Sequence, residues 1–133
     1  MKSLFIAVIF FSGLLTSAAP PPHHHETDKR GVYKPIALAP EKARTSQNPY
    51  EGQADAIAAG KKLFLQHCAE CHGEDAQGAH RSANLRSAGV QNATPGELVW
   101  FLSNGNLVKG MPSWSGLPEQ RRWQIVSYLK TLH

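Results

Sequence analysis

Cys68-Ala69-Glu70-Cys71-His72 spells C-x-x-C-H, the attachment signature of a covalently bound haem. Two thiols at this spacing can add across the two vinyl groups of the macrocycle. The histidine directly after the second thiol is then carried under the ring, where its imidazole can bind iron. Cys68 and Cys71 are the only cysteines in the 133 residues, so no other pair competes for this reading.

The N-terminus supports the motif from a distance. Lys2 gives a positive start, Leu4 to Leu15 is nearly all apolar, and Thr16-Ser17-Ala18-Ala19 supplies small residues for cleavage. That order predicts a secretory signal peptide over residues 1–19. The apolar run is shorter than the roughly 20 residues of a spanning helix, so no spanning helix is expected in the mature chain. Cells that attach haem to C-x-x-C-H generally do so outside the cytoplasm, so an export signal and this motif reinforce each other and point to the periplasm. Residues 20–48 hold prolines, His23-His24-His25 and scattered charges, with little apolar periodicity. Such a composition reads as a disordered linker. The histidine triplet is also of a type that binds transition metal ions, but the solvated linker is the preferred reading.

Residues 49–133 are left as one small domain. A chain of that size buries a modest share of its surface and often recruits a cofactor to complete its core. The formal charge of +4 is too mild to argue for nucleic acid. It is compatible with docking to an acidic patch on a redox protein, which acts on association rate more than on fold.

Three helices are expected around the motif. Between Gln53 and His67, the positions Ile57, Gly60, Phe64 and Cys68 recur at spacings of three and four and share a face. Gly60 on that face would allow another helix to come close. Thr94-Pro95-Gly96-Glu97 is a capping box with proline at the first helical position; Leu98, Phe101 and Leu102 follow as an apolar face, and Asn104-Gly105 ends it. A third helix starts near Pro118 and runs to the C-terminus, with Ile125, Val126, Leu129 and Leu132 on one face and Trp123 and Tyr128 beside it. No stretch alternates with period two, so no substantial sheet is expected. Residues 73–93 and 104–117 are loop-rich.

An iron bound by His72 has a second axial position. Met111, in Lys109-Gly110-Met111-Pro112, is the leading candidate and the only methionine besides Met1. Pro112 biases it toward an extended backbone, and Gly110 would let the chain pass near the ring. His80 is the rival, but it follows His72 too soon to round the ring edge easily. His67 is expected to point to solvent, and His133 is terminal. Histidine and thioether together fill both axial positions and favour the ferrous form. This ligation argues for an electron carrier and not an enzyme.

Taken with Gly60-Lys61-Lys62-Leu63-Phe64, Gly110-Met111-Pro112 and Trp123-Gln124-Ile125-Val126-Ser127-Tyr128-Leu129, the motif makes residues 50–133 resemble a bacterial monohaem class I c-type cytochrome. The resemblance implies an all-α, cytochrome c-like bundle of three or more helices around one covalently bound haem c. It implies thioether attachment at Cys68 and Cys71 and axial ligation by His72 and Met111. It implies that the first and last helices cross nearly at right angles, with Gly60 and Phe64 meeting Ile125 and Tyr128. It also implies a periplasmic carrier, or the cytochrome subunit of a dehydrogenase or respiratory complex, with a dehydrogenase, oxidase or other cytochrome as redox partner. The chain departs from the pattern in one respect. Many relatives have a proline soon after the motif whose carbonyl receives the other N–H of the ligand histidine, and none lies between His72 and Pro95. The acceptor for His72 is therefore unassigned by sequence. Arg81, Arg86, Trp100 and Trp114 are residue types that contact propionates.

Three alternatives have different requirements. A thiol–disulfide protein would place its C-x-x-C at the start of a helix in an α/β sheet fold. A structural zinc site would need four ligands, counting Cys68, Cys71, His72 and His80. A haem enzyme or gas sensor would need an open iron site, with Met111 elsewhere.

Overall fold

The computed structural model describes residues 35–79 and 82–133. The expected signal peptide, most of the expected linker, His80 and Arg81 lie outside them. The order of elements is a 3-10 turn (Ile36–Leu38), α1 (Glu41–Arg44), α2 (Ala54–His67), α3 (Ala69–His72), α4 (Ala88–Gln91), α5 (Pro95–Asn104), a second 3-10 turn (Leu107–Lys109) and α6 (Glu119–Leu129). The described residues form no strand, only an isolated antiparallel bridge between Asn106 and Met111. None of their helices is long and apolar enough to cross a membrane.

The frame of the domain is the crossing of α2 and α6. Gly60 makes it possible. A Cβ at this position would lie 1.9 Å from the carbonyl oxygen of Gln124 and 3.1 Å from the Tyr128 Cβ. The two backbones can touch only where a side chain is missing. One turn further along, Phe64 is fully buried and its ring sits 5.4 Å from that of Tyr128, tilted by 52°. That is a favourable aromatic geometry beyond its area burial. Ile125 and Val126 complete the sealed centre, and Trp123, Leu129 and Leu132 are buried around it. The expected meeting of Gly60 and Phe64 with the last helix is thus the core contact of the molecule.

Helix α5 begins as its sequence dictates. The Thr94 hydroxyl accepts from the Glu97 N–H at 3.2 Å, and the Glu97 carboxylate accepts from the Thr94 N–H at 2.7 Å. Two orphan donors of the helix start are satisfied in this way, with Pro95 at the first helical position. Leu98, Val99 and Leu102 are buried beneath it.

Three boundaries differ from the sequence reading. The last helix ends at Leu129 and does not reach the C-terminus. Lys130 leaves it to donate from Nζ to the carbonyls of Gln91 and Ala93, at the end of α4. Burial there lowers the lysine pKa. The stretch 73–93, read as loop, contains the single turn α4. The third difference concerns the linker assigned to 20–48. Its described part, from Pro35 onward, is folded onto the domain. Ile36, Ala39 and Asn48 are buried, and the Asn48 amide donates to the Ser127 hydroxyl at 2.8 Å. The elements here are one turn long each, too short to leave a periodicity that composition could reveal.

Candidate haem site

The helix α2 runs into the motif and breaks at Cys68, whose φ and ψ of −121° and −32° leave the helical region. The chain restarts at once as α3. The N–H groups of Cys71 and His72 both return to the Cys68 carbonyl, at 3.1 and 2.9 Å. This tight restart puts Cys68, Cys71 and His72 along one wall of a cavity of about 1170 Å³. Cys68 is half-buried and Cys71 exposed, and both are free thiols. Burial, and then the neighbouring Cys71, pushes the Cys68 thiol up to about 11, so it is neutral at pH 7.

The acceptor missing from the sequence is the Ala83 carbonyl. It lies 2.9 Å from His72 Nδ1. A carbonyl can only accept, so Nδ1 carries a proton, and in the neutral imidazole the lone pair is then on Nε2, where a metal can bind. The segment that brings Ala83 into place is folded back on the motif. Gly78 N–H donates to the His72 carbonyl at 2.8 Å, Leu85 N–H donates to the Ala76 carbonyl at 2.9 Å, and Ala76 is fully buried. Arg86, one of the residue types noted for propionates, is used differently. It donates from Nε to the Asp75 carbonyl at 2.7 Å and from Nη1 toward the Leu132 carbonyl at 3.4 Å, closing this segment onto the C-terminus.

Met111 belongs to the same cavity. Its backbone exchanges two hydrogen bonds with Asn106, at 2.8 and 3.0 Å, which pinches residues 106–111 into a short projecting loop. Gly110 sits in that loop with a φ of +83°, a conformation that favours glycine. A Cβ there would meet nothing within 4 Å. Its φ is the requirement the fold itself places on this glycine. Trp114 N–H, bonded to the Leu102 carbonyl at 2.9 Å, ties the far end of the loop to α5.

The four expected site residues therefore share one cavity. Of the other candidates, Trp114 lines the cavity, and Trp100 lines a separate, smaller one. His67 is not directed to solvent. It is half-buried in the cavity wall, its ring 5.3 Å from Trp114. The sequence reading missed two contributors, the Ala83 carbonyl and Ile36. Neither carries a residue-type signal.

The residues present fit a haem. The cavity exceeds the ~300–1,000 Å³ of ordinary small-molecule pockets. Much of its wall is apolar, with Leu85, Val90, Leu98, Ile125 and Leu129 among the lining residues. It offers two thiols, an imidazole with a free Nε2 and a thioether sulfur. The helical fold does not suit the thiol–disulfide alternative, which calls for a sheet. The zinc alternative counted His80, which lies outside the described residues.

Fold and site together define a monohaem class I c-type cytochrome-like domain. The sequence model of the family described as cytochrome c oxidase, cbb3-type, subunit III matches residues 55–129, and the chain belongs to that family. It is similar to a cbb3-type cytochrome c oxidase subunit CcoP from Rubrivivax gelatinosus. The two are 30% identical over 101 residues, which cover 71% of this chain and 33% of the relative. The chain thus spans about a third of the length of that curated relative. No solved structure matches it.

Proposed function

We propose that this chain is an exported, periplasmic electron carrier or the cytochrome subunit of a respiratory complex, built around a single haem c. Cys68 and Cys71 would hold the haem through thioethers, and His72 and Met111 would ligate its iron. The supporting observation is that one cavity gathers two thiols, an imidazole already engaged through Nδ1, and a methionine brought in by a separate loop. When bound, the haem supplies a one-electron ferric–ferrous couple. His72 presents Nε2 because Ala83 holds the opposite edge of its ring. Met111 offers a soft donor that favours the ferrous state and raises the potential. With both side chains on the iron, the site would leave no place for oxygen or peroxide, and its role would be transfer and not catalysis. The likeness to an oxidase subunit supports a redox protein of that kind as partner. A dehydrogenase or a further cytochrome would use the same exposed chemistry.

The test is to produce the chain with haem-attachment machinery and denature it. Haem colour should stay with the polypeptide, and should be reduced or lost in Cys68→Ala and Cys71→Ala. A parent chain that releases all its haem on denaturation contradicts covalent attachment.

A further inference from the structure

The stretch matched by the family begins at residue 55. The segment before it, residues 35–48, is nevertheless part of the cavity. Ile36 is only 3% exposed and lines the same cavity as Cys68, His72 and Met111. It reaches that position because the segment is clipped across α5 at several points. Ala39 is buried. The carbonyl of Ala43 comes so close to α5 that a Cβ at Gly96 would lie 1.9 Å from it. At the end of the segment, the buried Asn48 amide is bonded to the buried Ser127 hydroxyl of α6, which also donates to the Trp123 carbonyl at 3.1 Å. The clip is selective. Leu38, two residues from Ile36, is 74% exposed and does not line the cavity.

We propose that this N-terminal strap is a working wall of the haem cavity, with Ile36 as a positioning residue that sets the reduction potential by excluding water from one side of the ring. The proposal rests on the haem reading above. Its physical basis is charge. The ferric centre carries one more positive charge than the ferrous centre, and an apolar wall disfavours the more charged form. Ile36 therefore favours the ferrous state. Removing its side chain, or lifting the strap from behind, admits water and favours the ferric state.

Redox titration of the purified holoprotein, followed in the visible spectrum, tests this with four variants. Ile36→Ala should lower the midpoint potential, so that the ferrous-to-ferric ratio at a fixed ambient potential falls severalfold. Ile36→Val should give a smaller shift of the same sign. Gly96→Ala forces the Ala43 carbonyl away without touching the cavity and should also lower the midpoint. Leu38→Ala, on the same strap but facing outward, should leave it at the parent value. The haem content per chain, measured in alkaline pyridine, should be the same throughout. Midpoints that stay at the parent value in Ile36→Ala and Gly96→Ala, with only the melting temperature reduced, would show a merely mechanical strap and overturn the proposal. An equal fall in Leu38→Ala would overturn the assignment to Ile36. A parent chain without covalent haem overturns the haem reading itself, a result distinct from either of these.

Discussion

The two sides of the cavity are held in opposite ways. On the histidine side, His72 is fixed at both its backbone and its ring. Gly78 N–H reaches its carbonyl, Ala83 takes its Nδ1 proton, and the adjoining segment is anchored by the fully buried Ala76. On the methionine side, the backbone bridge to Asn106 closes the loop, Ser113 and Trp114 tie its far end to α5, and its tip faces outward. Leu107 and Val108 are 77% and 93% exposed. His72 is held at backbone and ring, whereas Met111 is carried by a loop whose tip is exposed. The regions of a protein that open at low cost are those with few buried contacts and exposed backbone. Under the proposed His72 and Met111 ligation, ligand exchange is therefore expected on the methionine side.

The largest effect should come from removing the anchor of the histidine side. Cys68→Ala with Cys71→Ala should leave a haem-poor, mostly unfolded chain, read as loss of helical circular dichroism. A fully helical double variant would mean that the bundle closes without its cofactor. Next comes the frame behind that side. Gly60→Ala drives a methyl group into the Gln124 carbonyl. It should cost about 3 kcal/mol or more in denaturant unfolding of the holoprotein, at the upper end of overpacking effects. A loss below roughly 0.5 kcal/mol would show that α2 and α6 can separate freely, against the comparison drawn above.

The methionine side should respond more locally. In a denaturant titration, the weak long-wavelength band of the ferric methionine–iron bond should disappear before the helical signal falls. Coincident transitions would place Met111 in the same cooperative unit as His72. The smallest effect is expected far from either ligand. Thr94→Ala removes one half of the capping box and should cost about 1 kcal/mol, with no change in the visible spectrum.

What the sequence made legible follows from how local each signal is. The capping box at Thr94 and Glu97 is complete within four residues and forms as read. Gly60 is recognisable because a lone glycine on an apolar helical face has few other uses. Met111 stood out as the only methionine besides Met1, set between Gly110 and Pro112 in a loop that follows the haem motif. The rest depends on partners that residue identity does not encode. Any residue at position 83 offers a carbonyl to His72, so no side chain advertised the acceptor. Ile36 sits in a three-residue turn, and α1 is four residues long. Neither is long enough to show a period, and the polar company they keep resembles a tether. His67, just before Cys68 on the helix, was expected to face solvent, yet the end of α2 turns it toward Trp114.

The central claim is that His72 and Met111 together close the iron. The visible spectrum of the ferrous holoprotein under carbon monoxide, recorded for the parent and for Met111→Ala, tests it most directly. The parent should be unchanged by the gas, and Met111→Ala should shift to a carbon monoxide-bound spectrum. A parent that binds carbon monoxide readily, or a Met111→Ala variant that still excludes it, would contradict the claim.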